Sequence, residues 1–121
     1  MKIAVCLNEK SEKSEVSTRF GRAEFFGIYN DADKSWKFIE NSQNLQAPQG
    51  AGLQSAQYIL DAGSHALIAA NVGPKAMRVM QNEGIDVFLV SGGITAEEAV
   101  EKCLKNELKK ITEANVEGHW V

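Results

Sequence analysis

Residues 65–90, HALIAANVGPKAMRVMQNEGIDVFLV, decide the fold, because they read in order as a strand, a loop, a helix and a strand. The apolar run 66–70 is too short for a helix and ends at Asn71, and 87–90 form a second continuous apolar run. Such runs are typical of strands that are covered on both faces. Two strands joined by one helix predict a right-handed βαβ unit and therefore a parallel sheet.

The ends of the connecting helix are marked by particular residues. Pro74 suits a first helical turn, because its missing N–H would have no partner there. Gly73 can serve as the N-cap, and Gly84 can adopt the left-handed conformation that stops a helix. The loop 71–73 then lies at the carboxyl end of a central strand, which is where open α/β sheets bind ligands.

Three runs before residue 42 predict further strands. The opening run 2–7, KIAVCL, is rich in β-branched and apolar residues and predicts the first parallel strand. Runs 24–29 and 35–40 are separated by the turn-forming sequence NDADK, so they predict an antiparallel hairpin. The mixed apolar and polar composition of 35–40 predicts an edge strand.

Two more helices complete the pattern. Apolar residues recur at helical spacing from Leu53 until Gly63 ends the run. A longer helix is predicted over 94–110, because Thr95 and Glu98 are spaced as a capping box. The resulting order, β–β–β–α–β–α–β–α, predicts an α/β fold: a five-stranded mixed sheet flanked by helices, with the first, fourth and fifth strands parallel.

Composition excludes several classes of function. The 121 residues predict a single domain, 1–121, of which the tail 112–121 shows no pattern. A net charge of −3 without a basic segment makes nucleic acid and acidic membranes poor partners. No apolar run approaches the roughly 20 residues of a membrane span, and MKIAVCLNEK lacks a secretory leader. We therefore expect a cytoplasmic protein.

The carboxyl edge of the parallel strands is the predicted binding site. It should gather the loops 8–22, 71–75 and 91–95. The helix that opens at Gly73 adds free N–H groups and the positive end of a dipole. Together with cationic side chains and glycines that allow close backbone approach, this arrangement suits an anion. The candidate binding residues are Arg19, Gly21, Arg22, Asn71, Gly73 and Lys75.

A plainer interpretation of the two arginines stays open. Arg19 and Arg22 can be solvated, or they can pair with Glu24 and Glu9 as ordinary surface ion pairs.

The sequence resembles a known family in four places. These are the opening MKIAV, the segment VSTRFGRAEFFGIY (16–29), the GAG before an alanine-containing helix, and ANVGPKAM followed by GIDVF. Over residues 1–106 the chain is similar to the dinitrogenase iron–molybdenum cofactor biosynthesis family, which includes cofactor-handling domains of nitrogenase accessory factors. The resemblance implies a ribonuclease H-like motif and the binding of an iron–sulfur or iron–molybdenum-type cluster without catalysis.

The sequence departs from that family where metal ligands would be expected. Many relatives have His or Cys near the loop that reads NSQNLQAPQGAG here (41–52), and often His in place of Arg19. Iron and sulfur clusters are normally held by thiolate or imidazole groups, and this loop has neither. The metal ligands are therefore unknown.

The cysteines and histidines elsewhere do not supply a ligand set. Cys6 and Cys103 lie on apolar patterns and are predicted to be core residues. His65 follows the end of a helix, where it could cap carbonyl groups, at the end of the sheet opposite the predicted site. His119 lies in the tail, with no predicted role.

Enzymatic alternatives lack their residues. A nuclease needs several carboxylates around two metal ions, and the relevant strand ends offer Glu9 alone. A dinucleotide enzyme needs a glycine-rich turn after the first strand, where this chain reads NEKSEK. The sequence favours a non-enzymatic metallocluster carrier in metal-cofactor assembly, a monomer or weak homodimer that meets cofactor-assembly proteins. The alternative is a small-anion-binding or protein-interaction module on the same scaffold that has lost metal ligation.

Overall fold

A computed structural model of the chain describes residues 1–18, 20, 23–41 and 51–114, and for residues 51–54 it describes the backbone alone. This part of the chain forms strands and helices in the following order: β1 (Lys2–Leu7), β2 (Phe25–Asn30), β3 (Ser35–Glu40), α1 (Ala51–Asp61), β4 (Ala66–Ala69), α2 (Pro74–Asn82), β5 (Asp86–Leu89), α3 (Ala96–Leu104) and β6 (Lys109–Ile111).

The sheet is mixed, with the strand order β3-β2-β1-β4-β5-β6. Strands β1, β4 and β5 are parallel, with Ile3 opposite Ala66 and Leu67 opposite Val87. Strands β2 and β3 form an antiparallel hairpin attached to β1, and β3 is an edge strand. The α/β class, the parallel centre and the hairpin that the sequence predicted are all confirmed.

The predicted number of strands and the length of the last helix are wrong. Helix α3 ends at Leu104, and the chain then turns back so that β6 pairs antiparallel with β5 as a sixth strand. The turn occurs at Asn106, whose φ of 59° is left-handed, a conformation that Asn tolerates better than most residues. Leu108 is spaced one helical turn after Leu104, so the apolar stripe appeared to continue past the true end of the helix.

All three described helices end in the same hydrogen-bonded motif. A residue with a positive φ follows the last turn, and its own N–H and that of the next residue donate to the last carbonyl groups of the helix. In α2 the N–H of Ile85 donates to Met80 O at 2.8 Å, across Gly84 with a φ of 72°. In α3 the N–H of Glu107 donates to Lys102 O at 2.9 Å. The predicted stops at Gly63 and Gly84 are thus confirmed.

Two apolar layers enclose the sheet. On one face, Ala4, Cys6 and Leu67 pack with α1 and α2. On the other face, Val5 and Ile68 pack with α3 and other residues. Both cysteines are buried, as predicted. Within the described residues, the helices are too short or too polar to cross a membrane.

Candidate functional site

The carboxyl edge of the sheet gathers more of the chain than the sequence indicated. Strand β3 runs antiparallel to β2, which runs antiparallel to β1, so β1, β3, β4 and β5 all end at this edge. The chain leaves β1 at Leu7, β3 at Glu40, β4 at Ala69 and β5 at Leu89. The contribution of β3 to this edge was not part of the prediction.

The segment that follows β1 is fastened to both β1 and α3. The N–H of Ser17 donates to Cys6 O at 2.7 Å, and the N–H of Val16 donates to Ile94 O at 2.9 Å. The N–H of Ala96 in turn donates to Ser14 O at 2.8 Å. The first and last loops of the edge are therefore joined by backbone hydrogen bonds.

Ser14 holds the first loop in shape. Its side chain is buried, and its Oγ accepts hydrogen bonds from the N–H groups of Asn8 and Glu9 at 3.1 and 3.0 Å. The same hydroxyl donates to Glu15 O at 3.0 Å. The sequence NEKSEKSEVS shows no periodicity, so nothing in it distinguished Ser14 from its polar neighbours.

The loop after β4 joins the same structure through Asn71. Its Nδ2 donates to the carbonyl oxygen of Thr18 at 2.5 Å. A Cβ placed on Gly92, in the loop after β5, would lie 4.0 Å from Thr18 Cγ2. Three loops consequently meet at Thr18, as the topology of the parallel strands predicted. Asn71 was predicted as a binding residue, and its amide helps to position the edge.

The N-terminus of α2 is the part of this edge that best suits an anion. Its N-cap is the buried Gly73, Pro74 follows at the first helical position, and no described side chain caps the helix. The first turn contains no acidic residue, and Lys75 is exposed there. The positive end of the helix dipole is therefore not neutralised by an acidic side chain of its own first turn.

The N-terminus of α3 is the opposite case. The Oγ1 of Thr95 accepts from the N–H of Glu98 at 3.3 Å, and the side chain of Glu98 accepts from the N–H of Thr95, which confirms the predicted capping box. Glu97 and Glu98 also place negative charge in the first turn. An anion is thus favoured at the α2 side of the edge and disfavoured at the α3 side.

The structure describes the positions of half of the predicted binding residues, and their role in binding stays a prediction. Asn71, Gly73 and Lys75 lie together, where β4 passes into α2. Gly73 has a φ of −81° and a ψ of 172°, an extended conformation that does not itself require glycine. The other three lie outside the described residues, so their roles stay predictions: Arg19, Gly21 and Arg22.

A buried polar pair near this edge was missed. Asn41 follows β3 and is fully buried; its Nδ2 donates to Ala23 O at 2.8 Å. Ser55 of α1 is also buried, and its Oγ lies 3.4 Å from Asn41 Oδ1. These contacts tie α1 to the start of the hairpin. Asn41 opens an amide-rich stretch, and the sequence alone does not show which amide is buried.

Thiolate and imidazole ligation find no support in the described residues. Burial raises the pKa of the Cys6 thiol far above its usual range, and burial and the charge of Asp86 raise the pKa of Cys103. Both groups are therefore protonated at neutral pH, whereas metal ligation needs the thiolate. No group of three or more His, Cys, Asp or Glu that could hold a metal ion occurs in the described ranges.

His65 lies at the opposite edge of the sheet, as expected, but it does not cap the preceding helix. Its Nδ1 accepts from the N–H of Lys2 at 3.0 Å, whereas Lys2 Nζ lies 3.4 Å from the carbonyl oxygen of Ala62. His119 lies outside the described residues.

The described residues form a small α/β domain in which the start of α2, with the exposed Lys75 in its first turn, lies at the carboxyl edge of the sheet. The chain belongs to the dinitrogenase iron–molybdenum cofactor family, which it matches over residues 1–106. This match confirms the family that the sequence motifs indicated.

The chain is also similar to several known proteins in sequence and structure. The apo form of the orange protein of Desulfovibrio gigas is 30% identical with a TM-score of 0.92, covering 95% of this chain and 96% of that one. A Thermotoga protein solved by NMR, described as a candidate NifB protein of the DUF35 family, is 32% identical with a TM-score of 0.82, covering 97% and 98%. The uncharacterized protein MJ0580 of Methanocaldococcus jannaschii is 34% identical over 113 residues, 91% of each chain.

Proposed function

We propose that this protein is a non-enzymatic carrier that binds an anionic iron–sulfur or iron–molybdenum-type cluster during metal-cofactor assembly. Membership of the dinitrogenase iron–molybdenum cofactor family supports a role connected with metalloclusters, and so does the likeness to the orange protein. The ribonuclease H-like motif and a cytoplasmic location belong to the same proposal.

The observation on which this function depends is the contrast between two helix N-termini at one edge. Helix α2 begins without an acidic residue or a described side-chain cap and has Lys75 in its first turn, whereas α3 begins with a capping box and two glutamates. A negatively charged cargo is thus directed to the start of α2. Arg19 and Arg22, if they reach this edge, would add to the same potential.

The donor groups indicate how such a cargo is held. With both thiols buried and protonated, the cluster keeps its own sulfide and thiolate ligands, and the protein contributes N–H groups and cations. Binding of this kind is electrostatic, so it weakens as added salt screens the charges. Moderate affinity suits a carrier that must also release its cargo.

The test is an anaerobic titration of the full-length protein with a synthetic anionic [4Fe–4S] thiolate cluster, followed by visible absorbance. We expect saturable binding that falls with added salt, and Lys75→Ala and Arg22→Ala should each weaken it by about threefold or more. Lys34→Ala is the matched control, because Lys34 is exposed in the hairpin turn at the opposite edge.

Failure of the parent protein to bind the cluster would contradict the proposal. If inorganic phosphate bound at Lys75 in its place, the small-anion module would become the better description. Equal losses in the Lys34→Ala and Lys75→Ala proteins would show that net charge, and not the edge, determines binding.

A further inference from the structure

The two faces of the sheet are covered unequally. Helices α1 and α2 pack on one face, whereas α3 packs alone on the other, against residues of β1 and β4. On that second face the hairpin presents four partly buried rings, which we call the aromatic strip: Phe25, Tyr29, Trp36 and Phe38. No described helix lies over this half of the sheet.

The aromatic strip is an ordered arrangement. The ring centroids of Tyr29 and Trp36 are 5.3 Å apart, and the rings of Trp36 and Phe38 are stacked at 5.9 Å with 4° between their planes. Gly27 makes this possible, because a Cβ there would come within 2.9 Å of the Trp36 ring. The indole therefore lies directly on the backbone of β2, which leaves a flat apolar surface.

A groove of about 280 Å³ runs between the aromatic strip and α3. Tyr29 and Trp36 form one wall, and Val100 and Leu104 form the other. Leu104 is 41% exposed, although its neighbours on the same helix face are buried. Leu104 and the partly buried rings of the aromatic strip together form one apolar surface beside the groove, and contiguous apolar surfaces with a polar rim mark interaction sites.

The rim of the groove is acidic. Glu97 and Glu101 line the groove from α3 and are exposed, and Asp31 and Asp33 lie in the hairpin turn, near enough for their charges to act on Tyr29. Burial raises the pKa of Tyr29, and the carboxylates of both aspartates raise it further. The negative charges thus act on the groove from both sides.

Two lysines near this rim form solvent-exposed ion pairs with its glutamates. Lys13 lies 3.5 Å from Glu97, and Lys105 lies 2.8 Å from Glu101, both in exposed pairs. Surface pairs of this kind contribute little to stability, so cationic groups of a partner can replace them.

We propose that the aromatic strip and its groove bind a basic amphipathic helix of a partner protein, over the half of the sheet that no described helix covers. The apolar side of that helix packs on Trp36 and Leu104, and its Lys or Arg side chains meet Glu97 and Glu101. A second copy of this chain would bring an equally acidic rim to the same surface, which disfavours self-association. This inference does not depend on cluster binding at the carboxyl edge.

The probe is a synthetic amphipathic helix of Leu and Lys, compared with a Leu and Glu helix of the same pattern. The protein contains two tryptophans, so a Trp120→Phe background leaves Trp36 as the fluorescent reporter. We expect saturable binding of the Leu/Lys helix with a blue shift of Trp36 emission, and binding of the Leu/Glu helix that is about tenfold weaker or less.

Surface variants separate docking from folding. Leu104→Glu changes an exposed side chain and should abolish binding, and Glu101→Lys should weaken it by about threefold or more. Glu83→Lys is the matched control, since Glu83 is an exposed residue at the end of α2, on the other face. It makes the same change in net charge and should leave the affinity unchanged.

Three results would overturn the proposal. The first is failure of the Leu/Lys helix to bind, and the second is equal binding of the Leu/Glu helix. The third is a dimer in sedimentation that Leu104→Glu dissociates, which would identify the occupant as a second copy of the chain.

Discussion

Gly27 shows how much of a surface can depend on the absence of one methyl group. It is buried in the middle of β2, where it pairs with Phe38 across the hairpin. The space above its Cα is filled from two sides, by Leu7 and by Trp36. The conformation of β2 does not require a glycine, since its φ is not positive, so the requirement comes from packing alone.

We predict that Gly27→Ala destabilises the protein. The added Cβ would lie 2.9 Å from Leu7 Cδ1 and 2.9 Å from Trp36 Cζ3. Overpacking of this kind costs about 1–3 kcal/mol, more than the roughly 0.5–1 kcal/mol that Ala gains over Gly through a less flexible unfolded chain. Urea unfolding measures the difference.

Gly92→Ala is the control for that variant. A Cβ at Gly92 meets its nearest neighbour at 4.0 Å, an ordinary contact, so its free energy of unfolding should match or slightly exceed that of the parent. A Gly27→Ala protein as stable as the parent would mean that the indole does not lie on the sheet.

At the scale of whole elements, the region after Leu104 has two descriptions: the helix over 94–110 that the sequence predicted, and the shorter α3 followed by β6 that the structure shows. A helix that continued to residue 110 would have Asn106 in its interior, and replacement by Ala would then stabilise it. In the structure Asn106 has a φ of 59° and β6 follows. The effect of Asn106→Ala on the free energy of unfolding therefore has opposite signs in the two descriptions.

We predict that Asn106→Ala lowers the free energy of unfolding by about 1 kcal/mol, because Ala is strained in the left-handed conformation. Asn106→Gly should leave it unchanged or raise it, since glycine adopts that conformation without strain. Thermal unfolding of the two variants provides the comparison. A rise in stability with Ala would favour the longer helix.

The elements that were predicted correctly are those specified by local sequence. The unit from β4 to β5 has a proline at its helix start, a glycine at its helix end and continuous apolar strands. Strand β6 spans only 109–111, KKI, and forms because the edge of β5 is open. Such pairing depends on a distant partner, so three mostly polar residues do not indicate it.

The sequence predicted at which edge of the sheet the loops meet, but not all of the side chains that hold them there. Parallel strands require that their following loops meet at one edge, and three of them meet at Thr18. The side chains that hold the first loop in shape and tie α1 to the hairpin are determined by tertiary contacts. Ser14 and Asn41 were missed for that reason. Lys75 could be predicted because it lies in the first turn of a helix.

At the scale of the whole molecule, charge limits the class of partner. The chain has 16 acidic and 13 basic residues among Lys, Arg, Asp and Glu, giving a net charge of −3. A binding surface for duplex nucleic acid needs several lysines or arginines placed to contact phosphates. Among the described residues, Lys105 and Lys110 already pair with carboxylates, Lys105 with Glu101 at 2.8 Å and Lys110 with Asp86 at 3.0 Å.

We therefore predict that the full-length protein does not retain duplex DNA or RNA on a filter at physiological salt, even at micromolar protein. A basic protein of similar size serves as the positive control. Retention at sub-micromolar concentration that falls steeply with added salt would contradict this prediction and would indicate that the protein binds nucleic acid.

The hydrogen bond from Asn71 to Thr18 has a consequence for the way in which a protein that accepts the cluster would recognise the loaded carrier. The described parts of the edge loops are joined to one another by hydrogen bonds within the protein. A cluster bound at this edge would therefore contact segments that the protein's own hydrogen bonds hold in place. A protein that accepts the cargo would then recognise the cluster by its charge or its exposed ligands more than by a change in the shape of these hydrogen-bonded segments.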